Sequence, residues 1–189
     1  SYNTGGGLNH RLINDVSRDG QGNESAPSYN RIWVTQLIDI ANLMERYPGY
    51  TGKDLKLFDN PKYISMIKSY APLTLVRRGV ASIGDTGKPG AYMLYPDNDS
   101  VMIDSFNYTG DIEIAQHLYF KNNGELDGLH YDIFTENPER LKDEVYDIIE
   151  AYGEYNYDKS SMLTGYGFGA LRAGTLYESV GTNVIRDTQ

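Results

Sequence analysis

The densest polar stretch of the sequence is Ser17–Asn30, SRDGQGNESAPSYN, which gathers Arg18, Asp19, Asn23, Glu24, Tyr29 and Asn30 in one short segment. A guanidinium, carboxylates, carboxamides and a phenol together can bind a polar ligand and move a proton. A helical pattern begins at Arg31, so Tyr29 and Asn30 fall near a helix N-terminus, whose positive end favours an anion. The same residue types also suit an N-capping loop, with Asn30 or Ser28 satisfying free N–H groups. Residue types alone leave both readings open. Asn9-His10-Arg11 adds an imidazole and a second guanidinium upstream, where His10 reads as a substrate contact or as a simple loop histidine. His117, beside Leu118 on a helical pattern, and His130, in a loop, read as structural. Asp97, Asn98, Asp99 and Asp104 could offer oxygens to calcium, but without EF-hand spacing the expectation is a solvated acidic turn and no metal.

The elements that must position these groups are mostly helical. Residues 1–30 read largely as loop, with a short helical turn around Leu8, Leu12, Ile13 and Val16. From Arg31, the row Trp33, Leu37, Ile40 and Met44, flanked by Val34, Ile38 and Ala41, predicts a helix buried on more than one side and ended by Pro48-Gly49. Asn60-Pro61 opens a second helix with its apolar face at Tyr63, Ile64, Ile67, Tyr70 and Ala71, and Pro72 kinks or stops it. Residues 79–108 read mostly as loop; a third helix fits 110–122. The fourth runs from the Asn137-Pro138 cap through Leu141, Val145, Ile148 and Tyr152 to Gly153. After Ser160 the period shifts towards two, with Tyr166, Phe168 and Ala170 alternating with glycines, and Leu176-Tyr177 and Val184-Ile185 suggesting further short strands. The expected organisation is a helical portion over 1–160 and the start of a β region over 161–189.

Composition narrows the function classes. The 189 residues carry 17 Lys+Arg against 26 Asp+Glu, a formal net charge of −9, with mean hydropathy −0.52. No basic cluster offers the footprint that duplex nucleic acid requires, so no nucleic-acid partner is expected. No apolar run approaches the roughly 20 residues of a membrane span, so no membrane partner is expected either. The sequence contains no Cys, which removes disulfides, thiolate metal sites and cysteine nucleophiles. Tyr is abundant at 17, against 5 Phe and 1 Trp; its flat face and hydroxyl suit sugar stacking as well as any wet interface. The sequence starts at Ser1 without an initiator Met, which reads as processing, trimming or excision from a longer protein.

Three segments carry a resemblance to a known family. The run Asp19-Gly20-x-x-x-Glu24-Ser25-x-x-x-Tyr29-Asn30 resembles the acidic-Gly turn and Tyr of heparinase II/III-like polysaccharide lyases. Ile83-Gly84-Asp85-Thr86-Gly87 fits the same family, and Gly165-Tyr166-Gly167-Phe168-Gly169-Ala170-Leu171-Arg172-Ala173-Gly174 is similar to the strand where its β-sandwich begins. The similarity runs from about Gly5 to Gln189. It implies a mainly α fold: a partial α/α toroid of helical hairpins, its second half, with short C-terminal strands leading into a β-sandwich that this chain lacks.

The resemblance also implies a reaction, β-elimination on a uronate-containing polysaccharide. Such a reaction neutralises the sugar carboxylate, removes the adjacent proton and protonates the leaving oxygen. Tyr29 matches the family's base or acid, with His10 as a second catalytic group and Asn9, Arg18, Asn23, Glu24 and Asn30 as substrate-binding residues. The departure is spacing, because the family's Asn-His pair lies a helical hairpin before the Tyr and Asn9-His10 lies closer. No cofactor is expected; calcium would rest on the acidic turn, and the family's zinc belongs largely to the β part. The expected partners are an anionic poly- or oligosaccharide and the remainder of the parent protein, in the periplasm or secreted.

Two other classes remain beside the lyase. One is a toroid glycoside hydrolase using Asp19 and Glu24 as paired carboxylates. The other is a non-catalytic carbohydrate-binding or assembly fragment. The acidic net charge repels an anionic polysaccharide at long range, so binding requires a local patch such as Arg11, Arg18, Arg77 and Arg78. Asn23-Glu24-Ser25, Asn98-Asp99-Ser100 and Asn107-Tyr108-Thr109 match glycosylation sequons, which also arise by chance.

Overall fold

Helix signals in the sequence translate directly into elements. Asn137 accepts a hydrogen bond from Arg140 N with Pro138 in the first turn, and helix α7 (Pro138–Tyr152) ends at Gly153, whose φ of 76° a side chain would resist. Asp111 accepts from the N–H groups of Glu113 and Ile114 and so starts α6 (Ile112–Lys121). The computed structural model describes residues 7–49, 56–75, 79–80, 83–85, 99–129 and 137–172. The protein is mainly helical, and its described residues include two short two-stranded antiparallel ribbons. No helix among the described residues is long and apolar enough to cross a membrane.

The chain forms two compact units that interleave along the sequence. One takes residues 1–34, 61–95 and 156–189, and the other takes 35–60 and 96–155. The sequence boundary at 160 marks a change of periodicity, whereas the units are assembled from separated segments. Helix α2 (Pro27–Arg46) gives its first turns to the first unit and the rest to the second.

In the first unit, α1 (Leu8–Asn14) packs on α3 (Pro61–Lys68), and α4 (Tyr70–Leu73) packs on the ribbon of β3 (Ser161–Leu163) and β4 (Phe168–Ala170). Pro72 interrupts the helical run as expected: α4 gives way to β1 (Thr74–Leu75), which pairs with β2 (Gly79–Val80). Carbonyls freed there are taken up by Arg172, whose guanidinium donates to Thr74 O at 2.7 Å and Pro72 O at 3.4 Å, and by Ser161 Oγ, which donates to Pro72 O at 2.7 Å. Leu163, Phe168 and Ala170 point inwards and Gly169 outwards, the period-two pattern of the sequence. Leu176-Tyr177 and Val184-Ile185 lie outside the described residues.

In the second unit, α5 (Asp99–Thr109) packs on α6 and on a 3₁₀ turn at Leu57–Asp59, and α6 packs on α7. Helix α5 corrects the loop reading of 79–108 over its C-terminal part. Its buried residues Val101, Met102, Ser105 and Phe106 keep helical spacing, but the polar run before them hides the start. Asp104 accepts from Asn42 Nδ2 at 2.7 Å and is a helix residue, not a loop carboxylate.

Candidate functional site

The loop before α2 is built as a closed turn. Val16 bridges to Gly22, Ser17 N donates to Gln21 O at 2.7 Å, and Gly20 N donates to Ser17 O at 3.1 Å. Gly20 sits at φ 96° with its Cα against the main-chain carbonyl of Ser65, where a Cβ would collide. Lys62 Nζ ties the turn to α3 by donating to Val16 O at 2.8 Å and Ser17 O at 2.6 Å. Glycine at position 20 is thus required by geometry, whatever the chemistry of its neighbour Asp19.

Asn30 is the hub of this loop. It is 2 % exposed, its Nδ2 donates to Gln21 Oε1 and Glu24 O, each at 3.1 Å, and its Oδ1 accepts from Glu24 N at 3.2 Å. Gln21, fully buried, passes the chain on by donating to Ser69 Oγ at 2.7 Å, and Ser69 Oγ donates to Met66 O at 2.8 Å. Buried polar side chains satisfied in this way fix a unique loop conformation. The structure places Asn30, expected among the substrate-binding residues, inside the loop, with its carboxamide bonded to Gln21 and Glu24. It does not cap the helix with its own side chain: the bonded N–H is that of Glu24, outside α2.

The three segments singled out in the sequence meet at this loop. Asp19 Oδ2 accepts from the main-chain N–H of Gly165 and of Tyr166, the second at 3.3 Å, and Arg18 donates to Thr164 Oγ1. Tyr166 OH donates to Ser25 O at 2.8 Å, and burial pushes its phenol up to about 12. Gly84, at φ 64°, lies so close to Ser25 that a Cβ would stand 2.6 Å from Ser25 Oγ. A Cβ on Gly165 would stand 2.7 Å from Arg18 Cγ. The close approaches explain why glycine occupies both places.

Tyr29 stands on the first turn of α2, 44 % exposed, and the neighbouring Asn23, Glu24 and Arg18 are exposed as well. Asp19 is part-buried and committed to the turn of the β3–β4 ribbon. Asn9 and His10 are exposed on α1, with His10 Nδ1 3.3 Å from Asn14 Nδ2 of the same helix. Arg11 pairs with Asp15 at 2.7 Å; Arg77 and Arg78 lie outside the described residues. His117 is buried, its ring 5.0 Å from that of Tyr155, as the structural reading expects, and His130 lies outside the described residues.

Two residues of the cluster escape sequence reasoning. Tyr70 is buried and its OH donates to Pro27 O at 3.0 Å, supporting the start of α2, while burial raises its phenol despite the Gln21 side chain beside it. Gln21 lies in the stretch that the sequence reads as loop; no spacing signal marks it for the core. Among the described residues, no group of three or more His, Asp or Glu side chains is placed to hold a metal ion. Asp97 and Asn98 of the suggested calcium turn lie outside them. Comparison of the chain with family models, curated proteins and solved structures finds no match.

Proposed function

We propose that the chain is the second half of a helical toroid of the lyase type, preceding a β-sandwich, and cleaves a uronate-containing polysaccharide by β-elimination. Tyr29 takes the proton beside the sugar carboxylate and returns one to the leaving oxygen, so that the C–O bond breaks and an unsaturated uronate remains. Arg18 and Asn23, exposed on the same loop, are the groups to meet the carboxylate, with Glu24 beside them and Asn9 and His10 of α1 as further contacts. The observation that carries this reading is convergence. Ser17–Asn30, Gly84 and Gly165-Tyr166, drawn from the three segments that resemble the heparinase II/III-like lyases, pack on one another within one unit. A periplasmic or secreted location follows from a polysaccharide substrate, and the chain needs no cofactor for the steps described.

Binding without catalysis is favoured by a different observation. Asp19 and Asn30 spend their hydrogen bonds inside the protein and Arg18 donates to Thr164, which leaves Tyr29, Asn23 and Glu24, with the exposed remainder of the Arg18 guanidinium, as a small ligand-facing set. Commitment of Asp19 to main-chain amides also counts against a hydrolase that pairs it with Glu24.

Incubation with alginate, heparan sulfate, hyaluronan and ulvan, followed by ultraviolet absorbance, tests the reading. A rise from the conjugated uronate that is lost in Tyr29→Phe supports elimination and its residue together. A flat trace with retained oligosaccharide binding moves the conclusion to the binding fragment.

A further inference from the structure

Helix α2 is apolar on two sides. In the second unit it buries Leu37, Ile38 and Ala41, yet Ile40 and Leu43, with Tyr47 one residue past its end, are 43 %, 67 % and 60 % exposed. These three recur at intervals of three and four residues, so they form one outward stripe opposite the buried face. A row of large apolar side chains left in water along about two turns marks a contact surface more often than scattered exposure does.

Charge says what fits it. Asp39 and Arg46, both exposed, lie seven residues apart, within about 20° of the same side of the helix, along one flank of the stripe. A second α2 laid antiparallel across a two-fold axis near residues 42 and 43 keeps that flank on the same side and reverses its direction. Asp39 of each copy then meets Arg46 of the other. Leu43 meets its own counterpart at the axis, and Ile40 meets the Met44–Tyr47 turn. We infer that this face of α2 is a self-complementary surface on which a second copy of the chain docks antiparallel, clamped by two Asp39–Arg46 pairs.

The test is sedimentation of the full chain across a concentration series. A single-helix contact buries less than about 1,200 Å², so a reversible dimer with a dissociation constant of roughly 10–500 µM is expected. Reversing one charge, Asp39→Arg or Arg46→Asp, replaces two attractions by two repulsions and weakens the dimer about tenfold. The double reversal restores it, and Leu43→Asp abolishes it. All three positions face water, so circular-dichroism melts are expected to match the parent and to exclude misfolding as the cause. A chain that stays monomeric overturns the inference and assigns the stripe to a different polypeptide. A dimer indifferent to the single reversals, or one not restored by the double reversal, overturns it equally.

Discussion

The carboxylate of Asp19 accepts hydrogen bonds from the main-chain N–H groups of both Gly165 and Tyr166, near the far end of the described chain. A carboxylate on two adjacent N–H groups is a charge-assisted contact, stronger than a neutral one. Asp19→Ala is expected to cost about 1–2 kcal/mol, reduced from the buried-site range because the pair is partly exposed. Asp19→Asn keeps an acceptor oxygen and should lose about half as much. Urea unfolding gives both values, and hydrogen exchange should show the Gly165 and Tyr166 amides losing protection first. Unchanged protection in Asp19→Ala would remove the contact from the account.

Neighbouring residues at the start of α2 should respond in opposite ways. Tyr29 is exposed, so Tyr29→Phe should leave stability within about 0.5 kcal/mol while removing any elimination activity. Asn30→Ala strands Gln21 Oε1 in the core and frees the Glu24 main chain, at a cost of about 2–3 kcal/mol. Thermal melts of the two variants side by side, with activity assayed well below both transitions, separate a surface role from a scaffold role.

Gly20→Ala should be the most damaging small change in the loop. It forces a positive φ on a side chain and drives Cβ into the Ser65 carbonyl, a main-chain atom with no rotamer to retreat to. A loss of about 3 kcal/mol is expected, and a denaturant midpoint within error of the parent would contradict the close approach.

Alkaline pH offers a further check. Tyr166 in the folded protein holds its proton to about 12, and burial pushes Tyr70 up as well, whereas an unfolded phenol titrates near 10. A raised folded value means that folding binds the proton more tightly, so this stability is complete below about pH 10 and falls as the pH rises through 12. Urea midpoints at about pH 9 and about pH 11 should differ, and Tyr166→Phe should narrow the gap. Phenolate absorbance should also show part of the tyrosine titration delayed until the chain unfolds.

How much of this was legible in the sequence depended on whether the signal was local. Asn137-Pro138 and Gly153 bracket α7 because caps act within a turn of the residues they cap. Asp19-Gly20 is legible as a turn for the same reason. Helix α5 was not, since Pro96-Asp97-Asn98-Asp99 reads as turn chemistry and its apolar face is short. The fates of Asn30 and Gln21 were illegible in a different way. Carboxamides look the same in sequence whether they face a ligand or a buried partner, and Ser69, which decides the matter for Gln21, is remote in the chain. The stripe of α2 falls between these cases: its apolar pattern predicts burial on more than one side, whereas the structure buries Leu37, Ile38 and Ala41 and leaves Ile40 and Leu43 exposed.

Order of synthesis is the last consequence of the interleaved units. The partners of Asp19 and Ser25 on the β3–β4 turn belong to the final described segment, so a growing chain carries the Ser17–Asn30 loop unclasped until that segment leaves the ribosome. Closing so long a loop carries a logarithmic entropy cost, modest in free energy but slow to find by search. The loop is therefore completed only once residues 165–166 have been made, and pauses before that point would leave the segment around Tyr29 open to proteases.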